Sequence, residues 1–162
     1  MKKTLLFVFA LVITSMVGAQ AVGAKSLADL KIVYPADINA ACGASTRYDA
    51  VRGCYIQRVD QGVAPTYTIY LNNTLPQQVR DYVFLYSVGQ FLTYDMNDQQ
   101  LSAVFHPSPE KLALMGNNLH AYASEQFVTW FYGEASNQDK GLDSDNGAPV
   151  DEFFRNALVG VK

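Results

Sequence analysis

The stretch Tyr82-Val83-Phe84-Leu85-Tyr86-Ser87-Val88-Gly89-Gln90-Phe91-Leu92 is the longest apolar run beyond the N-terminal leader, and only Ser87, Gly89 and Gln90 interrupt it. A helix apolar on nearly every side has to be buried, so this run predicts the central helix of the domain. Ahead of it, Thr74-Leu75-Pro76-Gln77 reads as a capping box, with Pro76 in the first turn where a missing N–H does no harm. The helix is expected from near Leu75 to about Thr93. A mid-helix glycine costs about 1 kcal/mol relative to alanine. Gly89 therefore points to close backbone approach, and the cluster Ser87, Gly89, Gln90 marks a candidate site.

The N-terminus constrains the compartment. Lys2 and Lys3 precede an unbroken apolar run from Leu5 to Ile13, and Ala19-Gln20-Ala21 fits a small-residue cleavage pattern, with Val17-Gly18-Ala19 and Val22-Gly23-Ala24 as alternatives. Residues 1–21 are read as a signal peptide, since Leu5 to Val17 falls short of the ~20 apolar residues of a membrane span. Residues 22–162 then form one domain, secreted to a periplasmic or extracellular space. The formal charge is −3 and becomes −5 once Lys2 and Lys3 are removed. A mildly acidic domain with no Lys/Arg cluster is a poor fit to nucleic acid. Cys42 and Cys54 are the only cysteines, and in an exported chain a disulfide between them is expected. Its loop entropy is worth about 3 kcal/mol. Two metal ligands are the alternative, but the pair is not C-x-x-C and no histidine lies near it.

Along the chain, Leu30-Lys31-Ile32-Val33-Tyr34 fits a strand or a helix end, and residues 39–53 read as a loop held by the disulfide. Cys54 to Val59 and Thr66 to Leu71 predict an antiparallel hairpin around Asp60-Gln61-Gly62, with Tyr67, Ile69 and Leu71 on one face. Asn72-Asn73-Thr74 satisfies an N-x-T pattern but is sufficiently read as turn and cap. Residues 95–100 are polar, Glu110 to Met115 suits a short helix, and Asn137 to Ala148 reads as a loop. A second long helix is expected from Leu119 to Tyr132, ended by Gly133, with Leu119, Tyr122, Ala123, Gln126, Phe127, Trp130 and Phe131 on one stripe. A last helix spans Val150 to Leu158. These elements define an α+β class: a hairpin-containing antiparallel sheet packed on a buried central helix and a second helix.

A strand, a buried helix and a later helix carrying an acidic residue follow the order of the zincin metallopeptidases, and the chain resembles their glutamate-ligand branch from about Thr66 to Tyr132. In that family the first helix carries H-E-x-x-H, often H-E-x-G-H: two histidines hold zinc and the glutamate activates a water. Tyr86-Ser87-Val88-Gly89-Gln90 falls where the motif would lie, and Ala123-Ser124-Glu125-Gln126-Phe127 is similar to the third-ligand helix, with Glu125 at the ligand position. Tyr86 and Gln90 stand in place of the histidines and Ser87 in place of the glutamate; Gly89 and Glu125 agree. A phenol with an ordinary pKa of about 10 and a neutral amide make a poor zinc pair. The resemblance thus implies a zincin-like domain without zinc, cofactor or catalytic residue, its former cleft free to bind peptide or protein.

Other readings remain open. Tyr86, Ser87 and Gln90 can equally be polar groups satisfied inside a helical core, and Glu125 a solvated helix residue. An unrelated hydrolase could use His106, His120 and Glu125, although no G-x-S-x-G elbow is present. A structural interaction domain without peptidase ancestry is a third possibility. Asp143-Ser144-Asp145-Asn146-Gly147 suggests a calcium loop, but Gly147 is one position early and Phe154 falls where the bidentate glutamate belongs.

Overall fold

The hairpin forms where alternation of apolar and polar side chains predicts it. In the computed structural model, which describes residues 26–43, 52–136 and 147–159, strand β2 (Gly53–Arg58) pairs antiparallel with β3 (Thr66–Leu71). Gly62 in the connecting turn has φ +75°, a left-handed conformation that glycine adopts without strain. Tyr67, Ile69 and Leu71 point to the buried face and are 7%, 0% and 3% exposed. The ambiguous Leu30 segment is a strand: β1 (Leu30–Val33) joins the other side of β3 in parallel, with Leu30 opposite Tyr67. The order is β1-β3-β2, so among the described residues β1 and β2 are both edges. A 3-10 turn at Leu27–Asp29, closed by a capping box between Ser26 and Asp29, leads into β1.

A short helix α1 (Ile38–Ala41), capped by the Asp37 side chain, takes up the start of the stretch expected to be loop and ends at Cys42. Cys42 is bonded to Cys54 at the start of β2, as the sequence predicts. A disulfide of this kind belongs to an oxidising compartment. The leader over 1–21 and most of the polar 137–148 stretch lie outside the described residues, and so does most of the calcium-loop motif. Among the described residues no helix is long and apolar enough to cross a membrane.

The central helix α2 (Gln77–Thr93) packs on β2 and β3, and α5 (Leu119–Ser136) lies along it. Val83, Leu85, Ser87, Val88, Gly89, Phe91 and Thr93 are buried. Phe91 meets Tyr67 edge-on at 5.2 Å, joining helix to sheet. The capping box expected at Thr74 does not form. Asn72 Oδ1 instead accepts from the Thr74 backbone N–H at 3.0 Å and its hydroxyl at 2.7 Å, and the helix begins at Gln77 behind Pro76 with no side-chain cap. Asn72 is nearer in sequence and wins the competition for Thr74.

Three shorter helices complete the core. α3 (Asp98–Val104) occupies the polar stretch that gave no helix signal, closed by a box between Asn97 and Gln100. α4 (Pro109–Leu114) is capped by Ser108. α6 (Gly147–Val159) starts two residues before Pro149, which sits in the first turn. Gly133 does not end α5; the helix runs on to Ser136, and Glu134 in its last turn pairs with Arg155 of α6 at 2.7 Å. Trp130 Nε1–H donates to Asp151 Oδ1 at 2.8 Å, a second tie between the two helices.

Candidate functional site

Two close approaches build the site. A Cβ added at Gly53 would meet the Tyr70 carbonyl oxygen at 2.6 Å and Val83 Cγ1 at 2.7 Å, so only glycine lets the start of β2 come down on α2. On the opposite side, a Cβ at Gly89 would meet Ser124 Cα at 2.7 Å. Glycine there brings α5 against α2, which is the close approach that the sequence implies. Between β2 and the exposed flank of α2 lies an open cleft of about 240 Å³. Arg52 and Tyr55 line it from the strand side; Tyr82, Tyr86, Ser87 and Gln90 line it from the helix.

The helical period explains the grouping. Tyr82 and Tyr86 are four residues apart and stack at 6.2 Å, while Ser87 and Gln90 follow on the adjoining row. Ser87 is 2% exposed, and its side chain makes no hydrogen bond among the described residues. Glu125 on α5 turns toward the same flank, where its Oε2 accepts the Tyr82 hydroxyl at 2.5 Å. The structure divides the sequence-derived set Tyr86, Ser87, Gly89, Gln90 and Glu125. Three of these line the cleft, Gly89 forms the helix contact behind it, and Glu125 reaches its edge through Tyr82.

Neither His106 nor His120 lines the cleft. His106 is exposed in the connection after α3, and the His120 carbonyl accepts the Ser124 hydroxyl at 2.7 Å. Among the described residues no group of three His, Cys, Asp or Glu side chains could hold a metal. Arg52, Tyr55 and Tyr82 were not singled out from the sequence. Tyr82 was within reach, being one helical turn before Tyr86; Arg52 and Tyr55 join the site only through the fold of the strand over the helix.

The cleft phenols are held protonated. Burial, then the Glu125 hydrogen bond and charge, pushes Tyr82 up against the opposing pull of Arg52. Burial and Glu125 raise Tyr86. Burial and the Asp95 charge raise Tyr55, whose hydroxyl donates to Gln57 Oε1 at 2.9 Å while Gln57 donates to Asp95. A phenol whose pKa is raised on folding contributes stability fully present below the unfolded value of about 10 and lost as pH rises beyond it. The urea midpoint is accordingly expected to fall between pH 9 and 11, with tyrosinate absorbance at 295 nm growing in step with unfolding. Full tyrosine ionisation in a still-folded protein would contradict this picture.

Against known proteins, no family model, no curated protein and no solved structure matches the chain. The protein is an α+β domain with a cleft between strand β2 and a buried helix.

Proposed function

We propose that the protein is an exported, non-catalytic zincin-like domain that binds peptide or protein segments in its cleft. The observation that carries this reading is the position of Tyr86, Ser87 and Gln90. They line a cleft beneath the edge strand β2, with Glu125 of the second helix turned to the same flank. This is the relation between sheet edge, first helix and second helix that the resemblance to zincins implies. Gly89 adds to it, since a glycine at that point of the motif is sterically required by the α2–α5 contact. The disulfide between Cys42 and Cys54 supports export.

The loss of chemistry follows from the same residues. Hydrolysis on zinc needs ligands to fix the metal and a base to take a proton from its water. Ser87 is no base at neutral pH, and Tyr86 is driven further from its phenolate by burial and by Glu125. Gln90 offers a neutral amide. What the cleft retains is shape, hydrogen-bonding groups and an adjacent strand edge, which suit an extended peptide.

The test is restoration. The wild-type protein, dialysed against zinc, is expected to retain less than about a tenth of an equivalent by elemental mass spectrometry. The triple variant Tyr86→His, Ser87→Glu, Gln90→His is expected to hold close to one zinc, with Glu125 as third protein ligand. A folded triple variant that takes up no zinc would count against the ancestry. One tightly held zinc in the wild type would end the non-catalytic reading.

A further inference from the structure

We infer that the cleft receives the terminal carboxylate of a peptide, with Arg52 as its counter-ion; this rests on the peptide-binding reading above. Among the described residues Arg52 is the only charged residue lining the cleft, and it is exposed. Beside it stands Ser87, buried to within 2% and lacking a hydrogen-bond partner among the described residues, yet lining the cavity. Its hydroxyl, without a partner among the described residues, is reached from the cleft and can donate to an acceptor that enters there. Tyr86 and Gln90 add a phenolic O–H and an amide N–H₂. A guanidinium and three neutral donors among the residues lining one space suit a group that only accepts, and that carries charge: a carboxylate.

Two features favour the end of a chain over a free small acid. The cavity, about 240 Å³, adjoins β2, whose outer edge has no strand partner among the described residues. An extended peptide adds to such an edge through its backbone, and a free acid does not. Glu125 does not line the cavity and is engaged by the Tyr82 hydroxyl. The aromatic walls, Tyr55, Tyr82 and Tyr86, accommodate an apolar last side chain.

The experiment titrates ¹⁵N-labelled protein with acetyl-Ala-Ala-Phe as the free acid, the same peptide as its amide, and sodium acetate. The free acid is expected to shift the amide signals of Gly53, Cys54, Ser87 and Gln90, and to bind about tenfold more tightly than the amide. Acetate is expected to leave the β2 signals unmoved. Arg52→Gln, an exposed position, is expected to stay folded and to abolish the preference for the acid. Equal binding of acid and amide would overturn the carboxylate assignment while leaving peptide binding intact. Acetate reproducing the peptide's shifts would overturn the peptide part. No cleft signal moving at about 10 mM of either peptide would remove both this inference and the reading beneath it.

Discussion

Gly89→Val is expected to cost about 3 kcal/mol of stability and to lower the melting temperature by on the order of 10 °C. Any side chain at this position starts with a Cβ 2.7 Å from Ser124 Cα and 3.1 Å from both the Ser124 carbonyl oxygen and Phe127 Cβ. The nearest obstacle is helix backbone, which cannot rotate aside as a side-chain tip can. Alanine would recover up to about 1 kcal/mol of helix propensity, and the clash exceeds that gain, so Gly89→Ala is expected to destabilise by about 1–2 kcal/mol. Valine adds two methyl groups in the same gap. Urea unfolding of both variants checks the ordering. An alanine variant as stable as the wild type would mean that α2 and α5 separate freely, and the proposed site would lose its fixed geometry.

Phe154→Ala is expected to cost more, about 3–5 kcal/mol. The ring is fully buried and sits among Phe127 at 5.1 Å, Phe153 at 5.2 Å, Trp130 at 5.5 Å and Phe105 at 5.8 Å. It gathers α6, α5 and the end of α3 into one aromatic cluster. Its removal leaves a cavity that four surrounding rings cannot all close on. Phe131→Ala is the contrasting control: that side chain is 40% exposed, and truncating it is expected to cost about 1 kcal/mol or less. Chemical denaturation followed by tryptophan fluorescence separates the two, since Trp130 belongs to the affected cluster. A Phe154→Ala loss below about 1 kcal/mol would show that α6 contributes little to the core.

The parts of the fold that were legible in the sequence are those where a local period decides the outcome. Thr66–Leu71 alternates cleanly and is a strand with the expected buried face. The run from Tyr82 to Leu92 can only be buried, and it is the helix on which sheet and α5 both pack. Other parts depended on competition or on distant partners. The polar residues 95–100 hid the Asn97–Gln100 cap because the apolar anchors of α3, Leu101 and Phe105, come only at its far end. The four residues of β1 carry no distinguishing pattern until β3 arrives beside them. Gly133 resembled a stop signal, but the aromatic and ionic contacts of α6 carry the helix through it.

The candidate site divides along the same line. Ser87, Gly89 and Gln90 stood out because polar and small residues are conspicuous in an apolar helix. The resemblance supplied Glu125, and the Tyr82 hydrogen bond joins it to the same flank. Arg52 and Tyr55 could not be read, since neither belongs to α2 or α5. Their membership comes from Gly53, whose missing side chain lets the strand descend.

The parallel pairing of β1 with β3 also sets an order of events in time. A chain emerging from its N-terminus presents Leu30–Val33 before any of its partners exist, and the register requires it to wait for Tyr67–Tyr70. The hairpin β2–β3 closes over a short connection and can nucleate alone, whereas docking of β1 must close a much longer loop. Early in assembly, then, β3 has one open side and β1 is an apolar ribbon without a home. A holding factor acting on the unfinished chain would find its target there, in the first described strand made and the last one seated.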